Sequence, residues 1–128
     1  MNDSTRSEEL APLTLSADWP RPDMCVVHVV GELDIATVPD LAEYLRERTV
    51  SGPEHLVLDM AGVSLLSAVG VALLESARRN DLAIHGRLRL VGVTENRMVR
   101  RVLALTGVLD AHDVHDSLDA VLNRLDHT

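Results

Sequence analysis

The amino-acid sequence predicts an α/β domain: a central mixed, mostly parallel β-sheet of four to five strands carrying about four α-helices. Two patterns lead there. Short β-branched runs alternate with stretches whose apolar residues recur at helical spacing, the order expected when parallel strands are joined by crossover helices. The first two strand candidates instead follow one another directly, which makes them a hairpin and the sheet mixed. At 128 residues the chain has one domain's worth of core. We place that domain at residues 11–126, after a polar, patternless tail over residues 1–10.

Leu13 to Ala17 alternates apolar and polar residues, as a strand with one wet face does. The Trp19-Pro20-Arg21-Pro22-Asp23 stretch is expected to turn, because proline supplies no backbone donor. Cys25 to Val30 is β-branched and nearly continuous in hydrophobicity, which suits a central strand. Thr37-Val38-Pro39-Asp40 reads as a helix start, with threonine as cap, proline in the first turn and an acid three residues after the cap. Val38, Leu41, Ala42 and Leu45 form its apolar face. After the Ser51-Gly52-Pro53 break, Leu56 to Met60 fits a short buried strand.

Ser67 or a neighbour opens a second helix with Val69, Leu73 and Ala77 down one face and Arg78-Arg79-Asn80 near its end, where cations suit the helix dipole. Leu88 to Val91 is the next strand, ending at Gly92. Thr94 is expected to cap a third helix in which Met98, Val99, Val102, Leu103 and Leu105 repeat, closed by Gly107. Val108 to Val114 leaves room for a brief edge strand. Asp116-Ser117-Leu118-Asp119 starts a last helix with Leu118, Val121, Leu122 and Leu125 on one side.

Composition narrows the chemistry. A net charge of −8 repels nucleic acid and anionic lipid, so neither is an expected partner. The longest apolar run, Val63 to Leu74, contains two serines and falls short of the roughly 20 residues a membrane span needs. Cys25 is the one cysteine, which rules out an intramolecular disulfide and a four-cysteine zinc site and suits the cytoplasm, the expected location. It reads as a small core residue.

No cofactor is expected, since Gly86, Gly92 and Gly107 are isolated and form no phosphate-binding loop. No metal is expected either: His112 and His115, with Asp113 and Asp116 beside them, are three apart, which puts their side chains on opposite faces of a strand. Asp34 and Asp59 end predicted strands, where open α/β sheets gather function. A magnesium-dependent phosphoacceptor built on them would need a lysine, and the chain has none. His28 lies among valines, where a histidine is either a hydrogen-bonded structural residue or one with its tip at the surface. An enzyme is not the expected reading.

Three ordered segments carry a resemblance: Gly31-Glu32-Leu33-Asp34-Ile35-Ala36-Thr37, then Leu56 to Val63 with Asp59-Met60-Ala61-Gly62 inside it, then Leu88 to Gly92 followed by Val99 to Gly107. From about Leu13 to Leu125 the chain resembles a single STAS domain of the anti-sigma factor antagonist type. The resemblance implies a cytosolic binding module, monomeric or weakly dimeric, whose partner is an anti-sigma factor of the serine kinase type. It implies release of a sigma factor, and hence regulation of transcription in a stress response. A scaffold module in a larger signalling complex is the alternative.

In that family the loop between the third strand and second helix typically reads Asp-Ser-Ser-Gly, and the first serine is phosphorylated by the anti-sigma factor. Here the stretch is Ser67-Ala68-Val69-Gly70, so the phosphoacceptor position holds Ala68 and its hydroxyl is gone. Three readings of Ser67 stand open: a helix cap, a shifted phosphoacceptor, or a buried packing residue. Ser64 and Thr94 are further hydroxyls. The resemblance places partner docking on the Leu65 to Leu74 loop and helix with the Asp34 turn alongside, that is, on Asp34, Leu65, Leu66, Ser67, Ala68, Val69, Gly70 and Leu73.

Overall fold

The computed structural model describes residues 13–50, 52–79 and 87–126. The expected tail over residues 1–10, Ser51 and Asn80 lie outside the described residues. Five strands form one sheet in chain order: β1 (Thr14–Arg21), β2 (Met24–Leu33), β3 (His55–Leu66), β4 (Arg87–Val91) and β5 (Asp113–Val114). β1 runs antiparallel to β2, and all later pairings are parallel. The described helices are α1 (Val38–Thr49), α2 (Ala68–Arg79), α3 (Arg97–Leu105), the short α4 (Val108–Ala111) and α5 (Leu118–Asp126). This is the mixed, mostly parallel α/β sheet the sequence predicts.

Strand alternation divides the apolar residues between two faces. On one face Cys25, Val27 and Val29 of β2, Leu56, Leu58 and Met60 of β3, and Leu88 and Leu90 of β4 pack against Leu41 and Leu45 of α1, Leu74 and Ala77 of α2, Val99 and Leu103 of α3, and Val108 of α4. On the other, Met24, Val26, Val57 and Val91 meet α5 through Val121, with Leu118, Leu122 and Leu125 around it. Cys25 is fully buried, as expected, and burial raises its thiol above the ordinary range.

Several elements depart from expectation for identifiable reasons. β1 does not turn at Trp19 but continues through Pro20 to Arg21. It is an edge strand, and its pairing shifts register between Asp18 and Arg21, so the donor that proline lacks has no place in the ladder. Thr37 precedes α1, but its side chain caps nothing: the hydroxyl donates to the Glu32 carbonyl at 2.6 Å. Asn96, not Thr94, caps α3, with its carbonyl oxygen accepting from the Val99 amide at 3.2 Å; Thr94 donates to Asp116 instead. Leu105 is exposed. Gly107 does close α3, in the left-handed conformation a glycine allows.

The largest departure is the length of β3. Its pairing with β4 ends at Asp59, yet the strand continues beside β2 to Leu66, and its register shifts twice on the way. The bulges free backbone groups of β3, and two side chains take them up. Asp59 Oδ1 accepts from the Ala61 amide at 3.0 Å. The Asn96 side-chain amide donates to the carbonyls of Met60 at 3.0 Å and Val63 at 2.8 Å. Gly92 lets β4 end against this bulge, because a Cβ there would stand 2.5 Å from the Ala61 nitrogen, and its φ of +77° is one side chains resist.

Candidate functional site

The bulged end of β3 delivers the chain to the residues singled out by sequence. Leu33 and Leu66 are paired and buried at the ends of β2 and β3. From there the Ser67 amide donates to the Leu33 carbonyl at 3.0 Å, and the Ser67 carbonyl accepts from Val71 at 3.0 Å as α2 begins. Gly70 is buried beneath this junction: a Cβ there would meet Leu66 Cδ1 at 2.7 Å and Leu33 Cβ at 3.2 Å. Leu66 and Gly70 therefore position the loop from inside, while Leu73 leans partly on the main core.

The other expected residues come together at the surface. Ala68 is exposed, Leu65 is 43% exposed and Val69 is 38% exposed. Across from them the chain leaves β2 through a turn organised by Asp34, whose carboxylate accepts from the amides of Ala36 at 3.0 Å and Thr37 at 3.1 Å. That carboxylate is occupied with its own turn, and the residue the turn presents is Ile35, 78% exposed. Sequence reading missed Ile35 and Asn96. The signal for Asn96 was present, an asparagine just before an amphipathic run, but the threonine two residues upstream drew the assignment.

The Ser67 hydroxyl is buried and has no hydrogen-bond partner among the described residues. It makes no cap bond to α2, and the hydroxyl is packed inside the junction. Asp59 lies within β3 rather than at its end, and its second oxygen meets His28 Nδ1 at 2.8 Å. The other ring nitrogen of His28 meets Asp18 at 2.8 Å, so three strands are tied across the α5 side of the sheet. Burial pulls the His28 imidazole down, but the hydrogen bonds and charges of Asp59 and Asp18 hold it above its ordinary value.

His112 and His115 do not converge. His112 is buried with Nε2 3.3 Å from Glu75, and burial, with Arg78 nearby, holds its pKa below the ordinary value despite Glu75. His115 pairs with Asp113 at 2.9 Å. Asp23, Glu54 and His55 do gather within 4.8 Å of one another. His55 Nδ1 faces the Arg89 guanidinium at 2.9 Å, so a neutral ring that accepts this hydrogen bond carries its proton on Nε2.

The site is thus a buried junction of Leu33, Leu66 and Gly70 that leaves Ile35, Leu65, Ala68 and Val69 exposed around the start of a helix, on a mixed-sheet α/β domain. The STAS domain model matches residues 20–121, and the chain belongs to that family. It is 30% identical over 101 residues, 76% of this chain and 88% of the relative, to an anti-sigma-B factor antagonist of Staphylococcus epidermidis. The crystal structure of an anti-sigma factor antagonist from Mycobacterium paratuberculosis is similar at 26% identity and a TM-score of 0.75, covering 88% of this chain and 92% of that one. The Bacillus cell fate determinant SpoIIAA, in its phosphorylated form, shares the fold at 18% identity and a TM-score of 0.63 over 88% of this chain and 99% of its own. No described helix is long and apolar enough to cross a membrane.

Proposed function

We propose that this chain is an anti-sigma factor antagonist: a cytoplasmic binding module, monomeric or weakly dimeric, that docks on an anti-sigma factor of the serine kinase type and so releases a sigma factor. Its docking surface comprises Leu65, Ala68 and Val69 with the Asp34 turn, positioned by Leu66, Gly70 and Leu73. The names of its relatives support the general role. The observation that carries the reading is the exposed apolar group Ile35, Leu65, Ala68 and Val69 at the position where family members present their loop. Singly exposed apolar residues are ordinary, but four around one junction form a surface suited to a partner.

Control by phosphorylation at this loop is absent in our reading. Ala68 has no hydroxyl, and the neighbouring Ser67 hydroxyl is buried, where a kinase cannot reach it without opening the junction. A phosphate would bring about −1.5 to −2 charge onto this apolar surface, the change that in the family ends docking.

The test is a binding titration of the purified chain against each kinase-type anti-sigma factor of its organism, with and without ATP. Binding is expected to be indifferent to ATP. Ala68→Ser is expected to acquire one phosphate by mass spectrometry and to lose binding once ATP is added. Phosphate on Ser67 of the unaltered chain would overturn the phosphorylation-free reading, and failure to bind any of these kinases would overturn the antagonist.

A further inference from the structure

The outer face of α3 carries Arg97, Arg100 and Arg101, all exposed. Spacings of three and four residues place them side by side on the helix. Most other arginines meet a carboxylate: Arg21 with Asp23 and Asp126, Arg46 with Glu43, Arg48 with Glu47, Arg78 and Arg79 with Glu75, and Arg89 with Asp113. No ion pair among the described residues reaches the three on α3, although Glu95 precedes them in sequence. The first turn of α3 holds no acid, and it is the end of a helix where the dipole disfavours cations. Like charges crowd together against that dipole, so folding alone does not account for them.

Their place in the fold says what does. Asn96, immediately before Arg97, holds the Val63 carbonyl at 2.8 Å, which sets the start of α3 against the strand segment that leads to Leu65. The N-terminal end of α3, which opens at Arg97, therefore lies beside the strand segment two residues short of Leu65. We infer that Arg97, Arg100 and Arg101 form the polar rim of the apolar docking surface and receive a carboxylate-rich patch on a folded protein partner. The inference rests on the proposed function in taking that partner to be the anti-sigma factor. Guanidinium forks match carboxylates well, and an interface with an apolar centre and a charged rim is the ordinary anatomy of protein docking. An extended polyanion fits worse, since the chain's net charge of −8 repels it beyond these three residues.

The triple variant Arg97→Glu, Arg100→Glu, Arg101→Glu tests this. Its melting temperature is expected to equal or exceed that of the unaltered chain, and a marked fall would show the arginines to be structural and overturn the inference. Association with the anti-sigma factor, followed by stopped flow, is expected to slow on the order of 10-fold or more at low salt and to lose most of its salt dependence. Unchanged association overturns the inference while leaving the antagonist reading intact. If the unaltered chain binds no such kinase, the antagonist reading falls, and an NMR titration with heptaglutamate decides the arginine face. Amide shifts confined to residues 96–105 and lost in the triple variant keep it, and their absence at millimolar peptide removes it. Tighter binding of phosphatidylserine vesicles or a short oligonucleotide to the same residues overturns the assignment to a protein.

Discussion

The two faces of the sheet do different work. The face that carries α1 to α4 is a continuous aliphatic layer in which Leu41, Leu45, Leu58, Leu90 and Leu103 are fully buried. The face that carries α5 has a smaller apolar cluster, and beyond it His28, Asp18 and Asp59 take over. One face is held by area removed from water, the other partly by directed polar bonds. Hydrophobic burial is strong and indifferent to pH, whereas part-exposed ion pairs are weak and titrate.

Truncation separates the faces most sharply. Leu90→Ala is expected to cost about 2–5 kcal/mol in denaturant unfolding, and Leu122→Ala on the half-buried side of α5 clearly less, roughly in proportion to the area it buries. Equal losses would break the comparison. Asn96→Ala removes both the α3 cap and the clamp on β3, for an expected loss of about 1–3 kcal/mol, whereas Asn96→Asp keeps the cap and loses the clamp. Faster hydrogen exchange at the Ala61 to Leu66 amides in the aspartate variant, with α3 protected, would show the two roles apart.

The smallest effect is in pH. His28 is raised in the fold, so its contribution is full below the unfolded value of about 6.5 and is lost as pH rises through the higher folded value. His112 is lowered, so its contribution is present above about 6.5 and is lost as pH falls through the lower folded value. Asp59→Asn is therefore expected to flatten the alkaline side of the stability profile by no more than about 1 kcal/mol. NMR titration of the His28 ring in that variant should show its pKa reduced. An unchanged ring pKa would mean that Asp18 alone sets it.

Much of this was legible in the sequence because period-two and helical patterns report burial directly. Leu41, Leu45, Val99, Leu103 and Val121 were placed by spacing and are buried. The bulged end of β3 was not legible. Ala61, Gly62 and Ser64 break the apolar run after Met60, yet the strand continues through them in its pairing with β2, while the Asn96 side chain, more than thirty residues away, takes up the carbonyls of Met60 and Val63. Ile35 was missed for a related reason: a turn built on Asp34 and Thr37 decides which neighbour faces out, and composition does not encode that direction. At Ser67 the residue type favoured capping, but the loop's anchorage to Leu33 turned the hydroxyl inward.

Because β3 outruns β4 and is tied down by Asp59, Asn96 and Gly92, the obligations of the fold fall, within the loop, on the buried Ser67 hydroxyl and Gly70 and spare its exposed side chains. The exposed side chains of Ile35, Ala68 and Val69 take no part in holding the bulge. For the docking surface proposed above, such a division would let a lineage rewrite recognition while inheriting the scaffold unchanged.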